Sequence, residues 1–107
     1  MAKIIGNHGD ATVAAVAAAL EEYEVRHPGA QAAVYRQNPG AIRARVVDDR
    51  FAGMSRSRRH DDVWTFLESQ LGEDLVSEIS SLLLLPNAEL RSSLANLEFE
   101  DPLPSGI

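Results

Sequence analysis

Apolar and polar positions along the chain change period several times, and each change marks an element. After Asp10, the residues Val13, Val16, Ala17, Leu20 and Tyr23 recur at the spacing of one helical face. Asp10 is a natural N-cap, because its carboxylate can accept from first-turn amides that no helical carbonyl reaches. His27, Pro28 and Gly29 stop the run, since a residue before Pro avoids the helical region. The pattern predicts a helix near residues 10–26.

Two short runs follow, QAAVYRQ and AIRARVVDD, separated by Asn38, Pro39 and Gly40. In the second, Ile42, Ala44 and Val46 alternate with Arg43 and Arg45, the signature of a strand with one buried and one wet face. The turn residues between the runs predict an antiparallel hairpin. From Ser55 the period is helical again, with Val63, Phe66, Leu67 and Leu71 on one stripe until Gly72 interrupts it. The run ISSLLLL, closed by Pro86, reads as a buried strand. Asn87 is placed to cap a last helix carrying Leu90, Leu94 and Leu97.

The expected fold class is therefore α/β of the α+β kind. It has a small mixed three-stranded sheet with helices on one face, in the order α-β-β-α-(α)-β-α. Residues 1–9 form an N-terminal arm, 10–97 a single domain, and 98–107 a frayed or extended tail. The long helical connection before the third strand permits parallel pairing.

Composition narrows the chemistry. The 107 residues contain no cysteine, which excludes disulfides, thiolate ligands and thiol catalysis. No apolar stretch follows Lys3, so a secretory signal is not expected, and the longest apolar run is too short for a bilayer. The expected location is cytoplasmic, with no membrane partner. Charge is uneven within a total of -6. Residues 43–60 hold six Arg against two Asp, while residues 61–107 hold ten acids against Arg91 alone. A nucleic acid would be repelled by the whole and attracted by the middle.

The stretch Phe51, Gly53, Ser55, then Arg59 and His60, followed by Val63 and Trp64, resembles the BolA family. In that family a second strand runs into a Phe-x-Gly-x-Ser turn and an Arg-His pair opens a helix. ARVVDD is similar to the family's Val-rich second strand, and ISSLLLLPNAEL to its third strand and last helix. The resemblance spans roughly residues 12–95 and implies a KH-like α/β fold. BolA-like proteins that share an iron–sulfur cluster with a monothiol glutaredoxin use two positions. One is a His or Cys in the loop between the first two strands, and the other is a His near the start of the third. Here the loop RQNPGAI has neither type, and Ser77 stands at the second position. The expectation is no cofactor and no metal.

For Phe51, Gly53 and Ser55 the residues suggest structural work: a core anchor, a backbone conformation that resists a Cβ, and a helix N-cap. Ser57, His60 and Asp61 are close in sequence, but nothing near them supplies an oxyanion hole or a strained nucleophile turn, so no catalytic residues are expected. Arg56, Arg58, Arg59 and His60 are the candidates for binding an anionic partner, although Asp48, Asp49, Asp61 and Asp62 could neutralise them internally. The function expected is a non-enzymatic interaction or regulatory module of BolA type with a protein partner, for which the resemblance implies a glutaredoxin. The alternatives are a KH-like nucleic-acid-binding domain using the segment from Arg43 to Arg59, or a small acidic dimeric chaperone or adaptor. The net charge and the missing second Gly of a GxxG loop disfavour nucleic acid.

Overall fold

The computed structural model describes residues 2–6 and 9–90. The first helix, α1 (Ala11–Arg26), starts where Asp10 accepts hydrogen bonds from the amides of Thr12 and Val13. It ends at His27, ahead of Pro28 and of Gly29, whose positive φ turns the chain. Val13, Val16, Ala17, Leu20 and Tyr23 are buried, so the apolar stripe is the packed face. The hairpin follows as β2 (Gln31–Asn38) and β3 (Ala41–Val47), antiparallel, with Val34 opposite Ala44.

A single 3-10 turn, Asp49–Phe51, leads into α2 (Arg56–Leu71), and the short α3 (Glu73–Val76) follows Gly72. The strand β4 (Ile79–Leu85) then pairs parallel with β3, as the long helical connection allows. The sheet has four strands, one more than expected, because β1 (Lys3–Ile4) of the N-terminal arm pairs parallel with β2. Two residues give too little alternation to be read from sequence. The strand order is β1-β2-β3-β4.

One face of this sheet carries the main core. Val34, Ile42, Ala44, Val46 and Leu84 pack there against α1 and α2. The opposite face departs from expectation. The alternation of β3 predicts a wet face there, yet Ala33 is 1% exposed and Tyr35 5%, and they pack with Ile5 and Leu83.

Asn87 does not cap a helix. Pro86 holds the cap position of a second 3-10 turn, Asn87–Glu89, and Asn87 instead donates its backbone amide (2.9 Å) and Nδ2 (3.2 Å) to Asp49. That arrangement ties the end of β4 to the turn after β3. The rest of the expected last helix, with Leu94 and Leu97, and the tail 98–107 lie outside the described residues, as does His8.

Candidate functional site

The corner between β3 and α2 is built from Asp48 outward. Asp48 is buried, accepts from the Arg50 amide (3.0 Å), and takes the Tyr23 hydroxyl hydrogen at 3.1 Å. Arg50 Nη2 donates to the Tyr23 oxygen (2.7 Å) and to Asp62 (2.9 Å), joining the corner to α1 and α2. Burial pushes the Tyr23 phenol up to about 12, with the Arg50 guanidinium opposing that shift. None of this network forms a local sequence pattern, because Tyr23 and Arg50 are 27 residues apart.

The three motif residues take structural positions. Phe51 is fully buried in the main core. Gly53 sits at φ +83, a region that costs an L-residue about 1–2 kcal/mol. The Ser55 hydroxyl accepts from the Arg58 amide at 3.2 Å, capping α2.

The four candidate binding residues do not stay together. Arg59 turns inward, its side chain 8% exposed, and leaves the anion-binding set. Its Nε donates to the carbonyls of Phe51 and Met54, both at 3.1 Å, and its Nη1 donates to the Leu84 carbonyl at 3.1 Å. The two Nη atoms also grip Glu89 at 3.2 and 2.9 Å. These donations hold the Glu89 carboxyl below its ordinary value. A guanidinium suits this work because its five donors form a fixed fork that never loses its charge. Arg59 thus ties the turn, α2, β4 and the chain after it into one corner.

Arg56 and Arg58 face solvent, and neither forms an ion pair with an acid among the described residues. Arg58 shares an open surface depression with Asp61, Asp62 and Thr65. His60 is exposed and stacks on Trp64, with centroids 5.4 Å apart and rings 15° from parallel. No hydrogen bond links Ser57, His60 and Asp61. Arg43 and Arg45 lie on the face of the sheet away from α2, so the basic segment 43–59 is divided between two sides of the molecule.

The two positions to which the resemblance would assign cluster ligands lie near one another in the fold. The hairpin turn at Asn38–Gly40 adjoins the α3–β4 junction, where the Ile42 amide donates to the Glu78 carbonyl at 3.1 Å. The turn is occupied by an Asn38 side chain accepting from the Gly40 amide, and the Ser77 hydroxyl donates to the Asp74 carbonyl at 2.6 Å. Amide and hydroxyl are poor ligands for iron in a cluster, which takes thiolate or imidazole. These residues do not fit such a group. Among the described residues no cluster of three His, Cys, Asp or Glu could hold a metal ion.

No family model, curated protein or solved structure matches this chain. Among the described residues no helix is long and apolar enough to cross a membrane.

Proposed function

We propose that the chain is a BolA-like, non-enzymatic interaction module that meets an acidic protein surface through Arg56, Arg58 and His60. One observation carries this reading. Arg56 and Arg58 are exposed in the first turn of α2, where the helix field disfavours cations, and no acid among the described residues is ion-paired with them. Arg50 and Arg59, by contrast, are occupied inside the fold. Positions that are locally unfavourable, with only weak internal return, are where an external anion is expected to supply the compensation.

The resemblance of Phe51, Gly53, Ser55, Arg59 and His60 to the family motif supports the module class, and a monothiol glutaredoxin is the partner that it suggests. Contact would then proceed without a shared cluster ligand from this chain. A nucleic-acid reading is weaker, because Arg43 and Arg45 cannot join Arg56 and Arg58 in a single groove. Titration of the chain with a monothiol glutaredoxin, and separately with single-stranded RNA, tests the proposal. Salt-sensitive glutaredoxin binding that is lost in the Arg56→Ala, Arg58→Ala variant is expected. Absence of that binding, or micromolar RNA binding that strengthens as salt falls, would refute it.

A further inference from the structure

The strand β4 ends the sheet on one side, and no strand pairs with its outer edge among the described residues. The Leu85 carbonyl accepts from the Asp48 amide on the β3 side, so by alternation the backbone groups of Leu82 and Leu84 point outward. Arg59 Nη1 covers the Leu84 carbonyl at 3.1 Å, leaving Leu82 as the open position. Exposed edges are usually blunted by a charge or a Pro, and β4, reading ISSLLLL, carries neither. Above that edge lies one side of α2, because α1 packs on β1 and β2 while α2 packs on β4. Phe66 meets Tyr23 of α1 with ring centroids 5.6 Å apart, and Asp62 meets Arg50 on the same side. At about 100° per residue, His60 and Trp64 therefore face away from α1, over the edge. Trp64 and Leu82 are both half-buried against the core.

This surface is complementary to itself. Arg59, near the start of α2, reaches Leu84 near the end of β4, so helix and strand run in opposite directions. Trp64 stands at the middle of α2, and Leu82 at the middle of β4. A two-fold axis beside them sets Leu82 against Leu82 of a second copy, and Trp64 against its Trp64. One helical turn to either side, His60 then faces Glu68 of the copy, an imidazole against a carboxylate, and both are exposed. We propose that β4 and the outer side of α2 form a docking surface for a second copy of this chain, joining two sheets edge to edge. Leu82 supplies the backbone hydrogen bonds, Trp64 the apolar centre, and the His60–Glu68 pairs the register. An uncharged strand suits its own copy, since no like charges meet along it. Arg58 lies on another side of α2, with Asp61, Asp62 and Thr65, and stays open. The contact thus goes beyond the proposed partner site and shares His60 with it.

Sedimentation and light scattering of the full chain from about 1 μM to 1 mM test this. The mass should double across that range, and hydrogen exchange at the Leu82 amide should slow as concentration rises while α1 is unchanged. Glu68→Lys, which sets a cation against His60, should weaken the dimer roughly tenfold, and adding His60→Glu should restore it because opposite charges meet again. Trp64→Glu places two carboxylates at the axis and should abolish dimerisation, with circular dichroism confirming that each variant folds. A chain that stays monomeric throughout would overturn the proposal. Protection of Leu82 that does not depend on concentration would overturn it as well, because the same chain would then hold the edge. A dimer that His60→Glu fails to rescue would place the contact elsewhere and equally refute it.

Discussion

On the inner side of the first turns of α2, the Arg59 guanidinium is buried and gives its hydrogens to three backbone carbonyls and the Glu89 carboxylate. On the outer side, Arg56 and Arg58 reach into solvent with no ion-paired acid among the described residues. The residue type and the stretch of sequence are the same, so neither decides the role. What decides it is whether oriented acceptors lie within reach of the fork. Around Arg59 they converge from the turn, from β4 and from the residues after it. Around Arg56 and Arg58 the field of the helix opposes the charges, and Glu89, Asp61 and Asp62 offer only attraction at longer range. A local excess of positive charge in the sequence therefore overstates the patch that a partner would meet.

The comparison breaks most sharply through its inner side. Phe51 closes the core beneath the corner, so Phe51→Ala should cost about 3–5 kcal/mol, read as a fall in the denaturant midpoint. Near-parental stability would mean that the corner does not depend on its anchor. Arg59→Met keeps much of the side-chain volume but takes the guanidinium away from the carbonyls of Met54 and Leu84, while the Phe51 carbonyl keeps the Met54 amide. At about 1–3 kcal/mol for a buried group left unsatisfied, a loss of about 2 kcal/mol is expected. If Arg59→Met were as mild as a change at Arg58, the inner and outer sides would not differ in the way described.

Periodicity made most of this fold legible. The capped α1, the hairpin, α2 and β4 follow from repeats of 3.6 and 2 together with Asp10, Asn38–Gly40 and Pro86, because these are local features. What escaped is non-local or short. The strand β1 is two residues long, and Glu89 meets Arg59 across 30 positions. The alternation of β3 placed Arg43 and Arg45 correctly on the far face, but alternation reports only which side a residue takes. Whether that side is wet depends on what else packs there, and Tyr35 opposite Arg43 was the available hint. At the candidate site, spacing marked the right helix but could not separate Arg59 from its neighbours, since the difference lies in acceptors elsewhere in the chain.

Acid should sharpen the inner side selectively. The Glu89 carboxyl is held below its ordinary value of 4.5, chiefly by hydrogen bonds from Arg59. Its contribution is therefore fully present above that value and is lost as pH falls through the lower folded-state value. Asp10 behaves likewise, lowered from 3.8 to about 2 chiefly by the Arg36 guanidinium. Stability should decline below about pH 4.5, and Glu89→Gln should remove part of that decline while being less harmful at neutral pH than Arg59→Met. A Glu89→Gln chain with an unaltered acid profile would show that the Arg59–Glu89 contact contributes nothing to it.

The smallest effect belongs to the outer side, and its sign is what matters. Arg56→Ala, Arg58→Ala removes two cations from the first turn of α2, each unfavourable there by about 0.3–1 kcal/mol when exposed. This is opposed by the attraction of Glu89 for Arg56 and by weak attraction between Arg58 and the Asp61 and Asp62 carboxylates beside it, the latter worth about 0–1 kcal/mol at exposed positions. Arg59 must stay in place in this variant, or the loss of its carbonyl bonds would swamp the answer. The denaturant midpoint should hold or rise slightly, while salt-sensitive binding to an acidic partner falls. A midpoint lowered by more than about 1 kcal/mol would mean that the two cations are held by the fold after all. The contrast with Arg59 would then be one of degree, and the case for an external anion at the start of α2 would lose its footing.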